Sequence, residues 1–193
     1  MNTSERTAGD PAAIESAAGP KSVFRVVIRA PIDKVWSALT QTDAVLPFFF
    51  NSVCKTTGLR DGAPIRMQSK DGRYTTVIGE VITFEPPYRY SHTFKFTQLD
   101  DPWCTVHYIL KEVDDGTEFT LINENVPAGT KTEKYMVQGG DFITANLKAI
   151  LESGKPTPGG QFALFMMGLF SVFTPARCKS ENWPLDKKFD NNQ

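Results

Sequence analysis

Histidine occurs twice and cysteine three times in the 193 residues, and neither is spaced for chemistry. His92 and His107 stand fifteen residues apart without an E-x-x-H or similar frame, and no Ser-His-Asp set or glycine-rich phosphate loop accompanies them. The expectation is therefore no metal site, no catalytic set and no cofactor. Cys54, Cys104 and Cys178 are odd in number and far apart, which excludes a disulfide framework and zinc spacing and predicts buried, inert thiols. Charge of one sign is also missing: 21 basic against 22 acidic residues leave a net charge of −1, so no basic field exists for nucleic acid. No apolar run reaches the roughly 20 residues needed to cross a bilayer. The first twenty residues lack a signal-peptide core and predict a disordered tail, and with it a cytoplasmic location.

What is present is an ordinary globular composition, 40% hydrophobic and 22% charged, in a chain long enough for one domain with a real core. The β-branched run at 22–30, "SVFRVVIRA", passes into "PIDKVWSAL", where Pro31 suits a first helical turn and Val35, Trp36 and Leu39 form an apolar stripe. Residues 53–126 then hold short β-rich runs broken by "RDG", "KDG", "EPP", "LDDP" and "DDG", a pattern of consecutive antiparallel hairpins. From Thr132 to Glu152 the period becomes helical, with Tyr135, Met136, Gly139, Phe142, Ile143, Leu147, Ile150 and Leu151 on one broad face. A helix of about 31 Å results, long enough to lie across the sheet. Such a sheet buries its apolar face by curling around that helix, an α+β helix-grip fold with a hollow where small apolar molecules bind.

These boundaries predict a tail at 1–20, the helix-grip domain at 21–154 and a C-terminal extension at 155–193. Gly154, Pro156, Pro158, Gly159 and Gly160 read as a linker, and 162–173, "FALFMMGLFSVF", as an apolar helix with ten apolar residues of twelve. At about 18 Å that helix is too short to span a bilayer, so a lid over the hollow, a homodimer contact or a peripheral membrane anchor are its three readings.

The stretches "IRAPIDKVWSALTQTD", "GEVITFEPPYRYSHTF", "DGTEFTLINE" and "GGDFITANLKAILESG" occur in an order that resembles the SRPBCC (START-like) superfamily. Within it they are similar to the family of the C-terminal domain of the heat-shock protein 90 ATPase activator. The resemblance spans about residues 22–154 and implies a helix-grip fold with a pocket. It also implies functions that range from ligand carriage through cyclisation to chaperone regulation. The family usually carries Gly-Trp where this chain has Gly139 and Gly140.

Candidate site residues follow from strand parity. Tyr88, Tyr90, His92, Phe94 and Phe96 share one face, as do Phe119, Leu121 and Asn123, while Tyr135, Gly139, Gly140 and Phe142 lie on the long helix. His92 is open to three readings: a satisfied structural histidine, a polar contact to a ligand, or a catalyst partnered by Glu80 or Glu85 across the hairpin. His107 alternates away from the apolar set and is expected to face solvent. The expected activity is binding of a small apolar or aromatic ligand. A chaperone-regulating module and a cyclase or hydrolase are the alternatives, and a chaperone or a second copy of the chain is the protein partner left open.

Overall fold

Strand β1 (Lys21–Ile28) leads through Pro31 into α1 (Ile32–Leu39), whose buried side is Ile32, Val35, Trp36 and Leu39. The structure is a computed structural model and describes residues 21–170 and 173–189. The tail expected at 1–20 lies outside the described residues, as do Ser171 and Val172 of the apolar segment.

After α1 the chain crosses to the far edge of the sheet and returns as a meander. Its strands are β2 (Val45–Leu46), β3 (Ser52–Thr56), β4 (Pro64–Gln68), β5 (Thr75–Glu85), β6 (Arg89–Phe96), β7 (Cys104–Val113) and β8 (Gly116–Glu124). β8 pairs with β1, giving one antiparallel sheet in the order β1-β8-β7-β6-β5-β4-β3-β2. The two-residue strand β2 is too short to carry a period and was not foreseen. At the β7–β8 turn Gly116 has φ 133°, and a side chain there would overlap the Ile28 carbonyl of β1, so the tight return requires glycine.

The long helix α2 (Lys131–Ser153) is set at both ends by its sequence. Thr130 accepts from the Glu133 backbone N–H at 3.2 Å while Glu133 reaches back to the Gly129 N–H at 2.7 Å, and Gly154 ends the helix at φ 77°. Its buried residues include Met136, Ile143 and Leu147, which meet the concave face carrying Val106, Tyr108, Phe119 and Leu121. This is the α+β helix-grip fold.

Helix α3 (Pro158–Phe170) begins four residues before Phe162, so Gly159 and Gly160 belong to its first turn and not to a linker. The cause is a cap. Thr157 Oγ1 accepts from the Gly160 N–H at 3.0 Å with Pro158 at the first helical position, and Asn146 of α2 accepts from the Thr157 N–H and hydroxyl, each at 3.0 Å. A side chain at Gly160 would overlap the Asn146 amide, so the small residue lets α3 start against α2.

Beyond α3 the extension lies along the outer face of β4 and β5. Ser180 bonds Thr75 and the Arg73 carbonyl, and Lys179 bridges Tyr74. The buried Arg66 guanidinium donates to the carbonyls of Trp183, Pro184 and Lys187 at 3.1, 3.2 and 2.8 Å, with the Phe189 ring 5.0 Å away. Among the described residues no helix is long and apolar enough to cross a membrane.

His107 corrects an expectation. It is on the outer face as its parity requires, yet it is largely buried there and Nε2 donates to Glu124 at 3.1 Å. Long neighbouring side chains on a central strand cover what alternation alone assigns to water.

The two helix glycines differ. A Cβ at Gly140 would run into the Phe24 ring of β1, whereas at Gly139 its nearest neighbour would be Phe50 at 3.9 Å. Phe24 thus occupies the space that a side chain at position 140 would need, and Gly140 marks a close approach of helix to sheet. Gly140→Ala is expected to lower stability by about 1–3 kcal/mol through overpacking. Gly139→Ala should be neutral or up to about 1 kcal/mol stabilising through helix propensity. Urea unfolding of both variants checks this, and equal effects would contradict it.

Candidate functional site: a hollow between sheet, α2 and α3

Because α2 rests on β1, β8 and the Pro47–Phe49 turn, the concave face of β5 to β7 is left uncovered by α2, and α1 reaches only one end of it. A hollow of about 1120 Å³ remains there. Val77, Phe94, Phe96, Val106, Tyr108, Leu121 and Asn123 form its sheet wall, and Tyr135, Met136, Gly139, Gly140, Phe142 and Ile143 its α2 wall. Leu164, Met167 and Gly168 of α3 close another side, and Thr174, Pro175 and Cys178 border it from the extension.

Of the residues singled out from the sequence, Phe94, Leu121, Asn123, Tyr135, Gly139, Gly140 and Phe142 border the hollow, together with Phe96. Tyr88, Tyr90, His92 and Phe119 do not. Tyr88 sits in the turn before β6 and is 41% exposed, so it is not part of the strand's alternation. Tyr90, His92 and Phe119 are on the concave face, but at the end of the sheet that α1 fills. Trp36 packs on Phe84 at 5.3 Å, Phe84 on Tyr90 at 5.8 Å, and Tyr108 on Phe119 at 5.9 Å. Parity assigns a face correctly but says nothing about position along it.

His92 is held by its own strand: Nδ1 donates to the Thr93 carbonyl at 2.8 Å, and the ring packs among those of Tyr90, Phe94 and Tyr108. Burial lowers its pKa from 6.5 to about 4, so the imidazole is neutral at neutral pH. Glu80 pairs with Pro64 and borders a separate hollow of about 210 Å³ under the C-terminal extension, and Glu85 is exposed at the hairpin end. The carboxylate–histidine pair that a catalytic reading of these residues needs is not formed. Burial likewise pushes the Cys54 and Cys104 thiols up to about 12, which keeps them protonated. Among the described residues no group of three or more His, Cys, Asp or Glu is placed to hold a metal ion.

Parity missed the loop contribution. Phe50 and Asn51 have φ of 54° and 56°, an unusual left-handed pair that turns the Phe50 ring onto Phe142 at 4.3 Å and 15°. The signal available was "FFFN", three aromatic rings in a loop with no strand or helix of their own to bury them.

The family model described as Activator of Hsp90 ATPase homolog 1-like protein matches residues 29–152, from the end of β1 to the last turn of α2. The chain belongs to that family. Among solved structures it is similar to DynU16, from the dynemicin biosynthetic locus, at 26% identity over 70% of this chain, with a TM-score of 0.56. The chain spans about half of that protein, 48% of its length. CalU16 from Micromonospora echinospora is 22% identical over 79% of this chain and 86% of its own, with a TM-score of 0.52. An HSP90 activator from Plasmodium falciparum is 18% identical over 72% of this chain and 99% of its own, with a TM-score of 0.54. Among curated proteins none matches. The match ends at Glu152, so α3 and the extension, which close the hollow, lie outside the part that defines the family.

Neutral His92 gives a pH signature. As the pH falls below about 6.5 the unfolded chain takes up a proton that the folded chain refuses until about pH 4. Stability is therefore complete above that window and lost through it, on the order of 3 kcal/mol for a shift of this size. His107, also lowered by burial, acts in the same direction. Urea midpoints between pH 7.5 and 4.5 should fall for the wild type and fall less for His92→Gln. Parallel pH profiles would remove His92 from this account.

Proposed function

We propose that the protein binds a small apolar or aromatic molecule in the hollow between the sheet, α2 and α3. The observation that carries this reading is unfilled space of about 1120 Å³ walled by aromatic and aliphatic side chains. An open concavity with a mostly apolar wall is where a small apolar molecule gains most by burial. Binding of this kind needs no cofactor, and with it we propose a cytoplasmic location and no nucleic-acid partner.

The alternatives have less behind them. A chaperone-regulating role rests on the family and on a fold shared with an HSP90 activator at 18% identity. A cyclase or hydrolase would need a catalytic pair in the hollow, and neither His92 nor Glu80 borders it.

The outward face of α3 extends the proposal to a protein partner. Phe162, Phe165 and Leu169, at helical spacing, are 67%, 63% and 56% exposed, opposite the face that meets the hollow. Such a contiguous stripe is more than a monomer ordinarily leaves in water. Residues 156–176 contain no charged side chain that would recognise an acidic or basic partner. A second copy fits best, since two-fold symmetry sets the uncharged stripe against itself.

Nile red titration tests the first proposal. The wild type should bind, and Gly139→Leu, which projects a side chain into the hollow from a position with room for it, should bind at least about tenfold more weakly while unfolding at a similar temperature. Equal binding by both proteins would place the dye elsewhere and sink the reading. Light scattering tests the second: the wild type should be dimeric at a concentration where Phe165→Glu is monomeric, and a monomeric wild type would refute self-association.

A further inference from the structure

On the β7–β8 wall of the hollow two polar side chains keep hydrogen-bonding capacity that the fold does not exhaust. Tyr108 of β7 is 6% exposed and Asn123 of β8 is 2% exposed, and both border the hollow. In the β7–β8 register Tyr108 faces Leu121 and Val106 faces Asn123. Tyr108 and Asn123 are therefore diagonal neighbours on one face, about 7–8 Å apart.

Tyr108 is held by rings, with Tyr90, His92 and Phe119 at 5.5, 5.7 and 5.9 Å. Its hydroxyl has no hydrogen-bond partner among the described residues. Asn123 Nδ2 donates to the Met136 carbonyl at 3.3 Å and to Ser22 Oγ at 3.4 Å. A carbonyl can only accept, so this contact fixes the amide orientation and leaves Oδ1 as the unused acceptor. Both groups are free to meet a molecule that enters the hollow.

The interior is otherwise uncharged. The charged residues that border the hollow, Lys70, Asp71 and Arg73, are on the exposed β4–β5 hairpin, and Arg73 donates to Asp71 there. An ionised group drawn inside would find no counter-charge.

From this we infer that the hollow selects a neutral molecule with an apolar, ring-based body, carrying a carbonyl that accepts from the Tyr108 hydroxyl and a hydroxyl or N–H that donates to Asn123 Oδ1. The inference rests on the reading of the hollow as a ligand site. Within that site it assigns Tyr108 and Asn123 as the residues that fix orientation and discriminate among ligands of equal shape.

Three probes of one tricyclic shape separate these statements: fluorene, 9-fluorenone and 2-hydroxyfluorene, each titrated by displacement of Nile red. For the wild type, 9-fluorenone should bind about tenfold more tightly than fluorene. Tyr108→Phe, which removes only a hydroxyl that no other group holds, should abolish that advantage and leave fluorene unchanged. Tyr90→Phe, whose ring does not border the hollow, should preserve it. In the Tyr108→Phe background 2-hydroxyfluorene should still bind more tightly than fluorene, because Asn123 Oδ1 accepts its hydroxyl. Equal binding of fluorene and 9-fluorenone by the wild type, or a fluorenone advantage that survives Tyr108→Phe, overturns the role of Tyr108. Loss of the 2-hydroxyfluorene advantage in that background overturns the role of Asn123. Each of those results leaves the hollow as a ligand site. If Nile red and all three tricycles fail to bind, the ligand-site reading falls and the inference with it.

Discussion

The Phe24 ring beneath Gly140 sets how closely α2 approaches β1, and the rest of the concave side follows from that contact. With the helix drawn onto the β1 and β8 edge, α1 fills one end of the sheet through Trp36 and Phe84, and the surface of β5 to β7 beyond that end is not covered by α2. Phe50 and Phe142, stacked at 4.3 Å, reach toward that surface without filling the space. A bulkier residue at 140 would push the helix outward or displace Phe24. The hollow is thus a consequence of packing on its opposite side.

What closes the hollow is tied at two places. At one end Asn146 of α2 caps the start of α3 through Thr157, with Gly160 giving the clearance. At the other, the extension is fixed to the sheet by Ser180 on Thr75, by Arg177 paired with Asp100 and by the three carbonyls around Arg66. Arg66 has no carboxylate among these partners, and burial lowers its pKa. Its hydrogen bonds depend on the extension staying where it is, since those carbonyls come from that segment.

The charged residues that border the hollow, Lys70, Asp71 and Arg73, lie at its exposed β4–β5 rim, and the buried core behind its wall holds a neutral His92 and protonated Cys54 and Cys104 thiols. The carboxylate–histidine contact of Glu124 with His107 lies on the outer face. These features favour a site that recognises shape and a few neutral hydrogen bonds over one that moves protons.

The amino-acid sequence by itself determined the elements and the fold class. Alternation in β5 to β8, the helical period from Thr132 to Glu152, and the caps at Thr130 and Gly154 are local properties, set by neighbours within a few residues. The same local logic put Leu121, Asn123, Phe94 and Phe142 on the correct faces. Where along those faces the space lies was decided only by the tertiary structure. Tyr90 and His92 have the same parity as Phe94 and Phe96, yet only the second pair borders the hollow, while Tyr90 packs on Phe84 and through it on Trp36 of α1. The start of α3 likewise depended on Asn146, eleven residues before Thr157, and the burial of His107 on long side chains from neighbouring strands. Faces are fixed by backbone period, which a sequence displays; depth and vacancy are fixed by which distant segments pack where, which it does not.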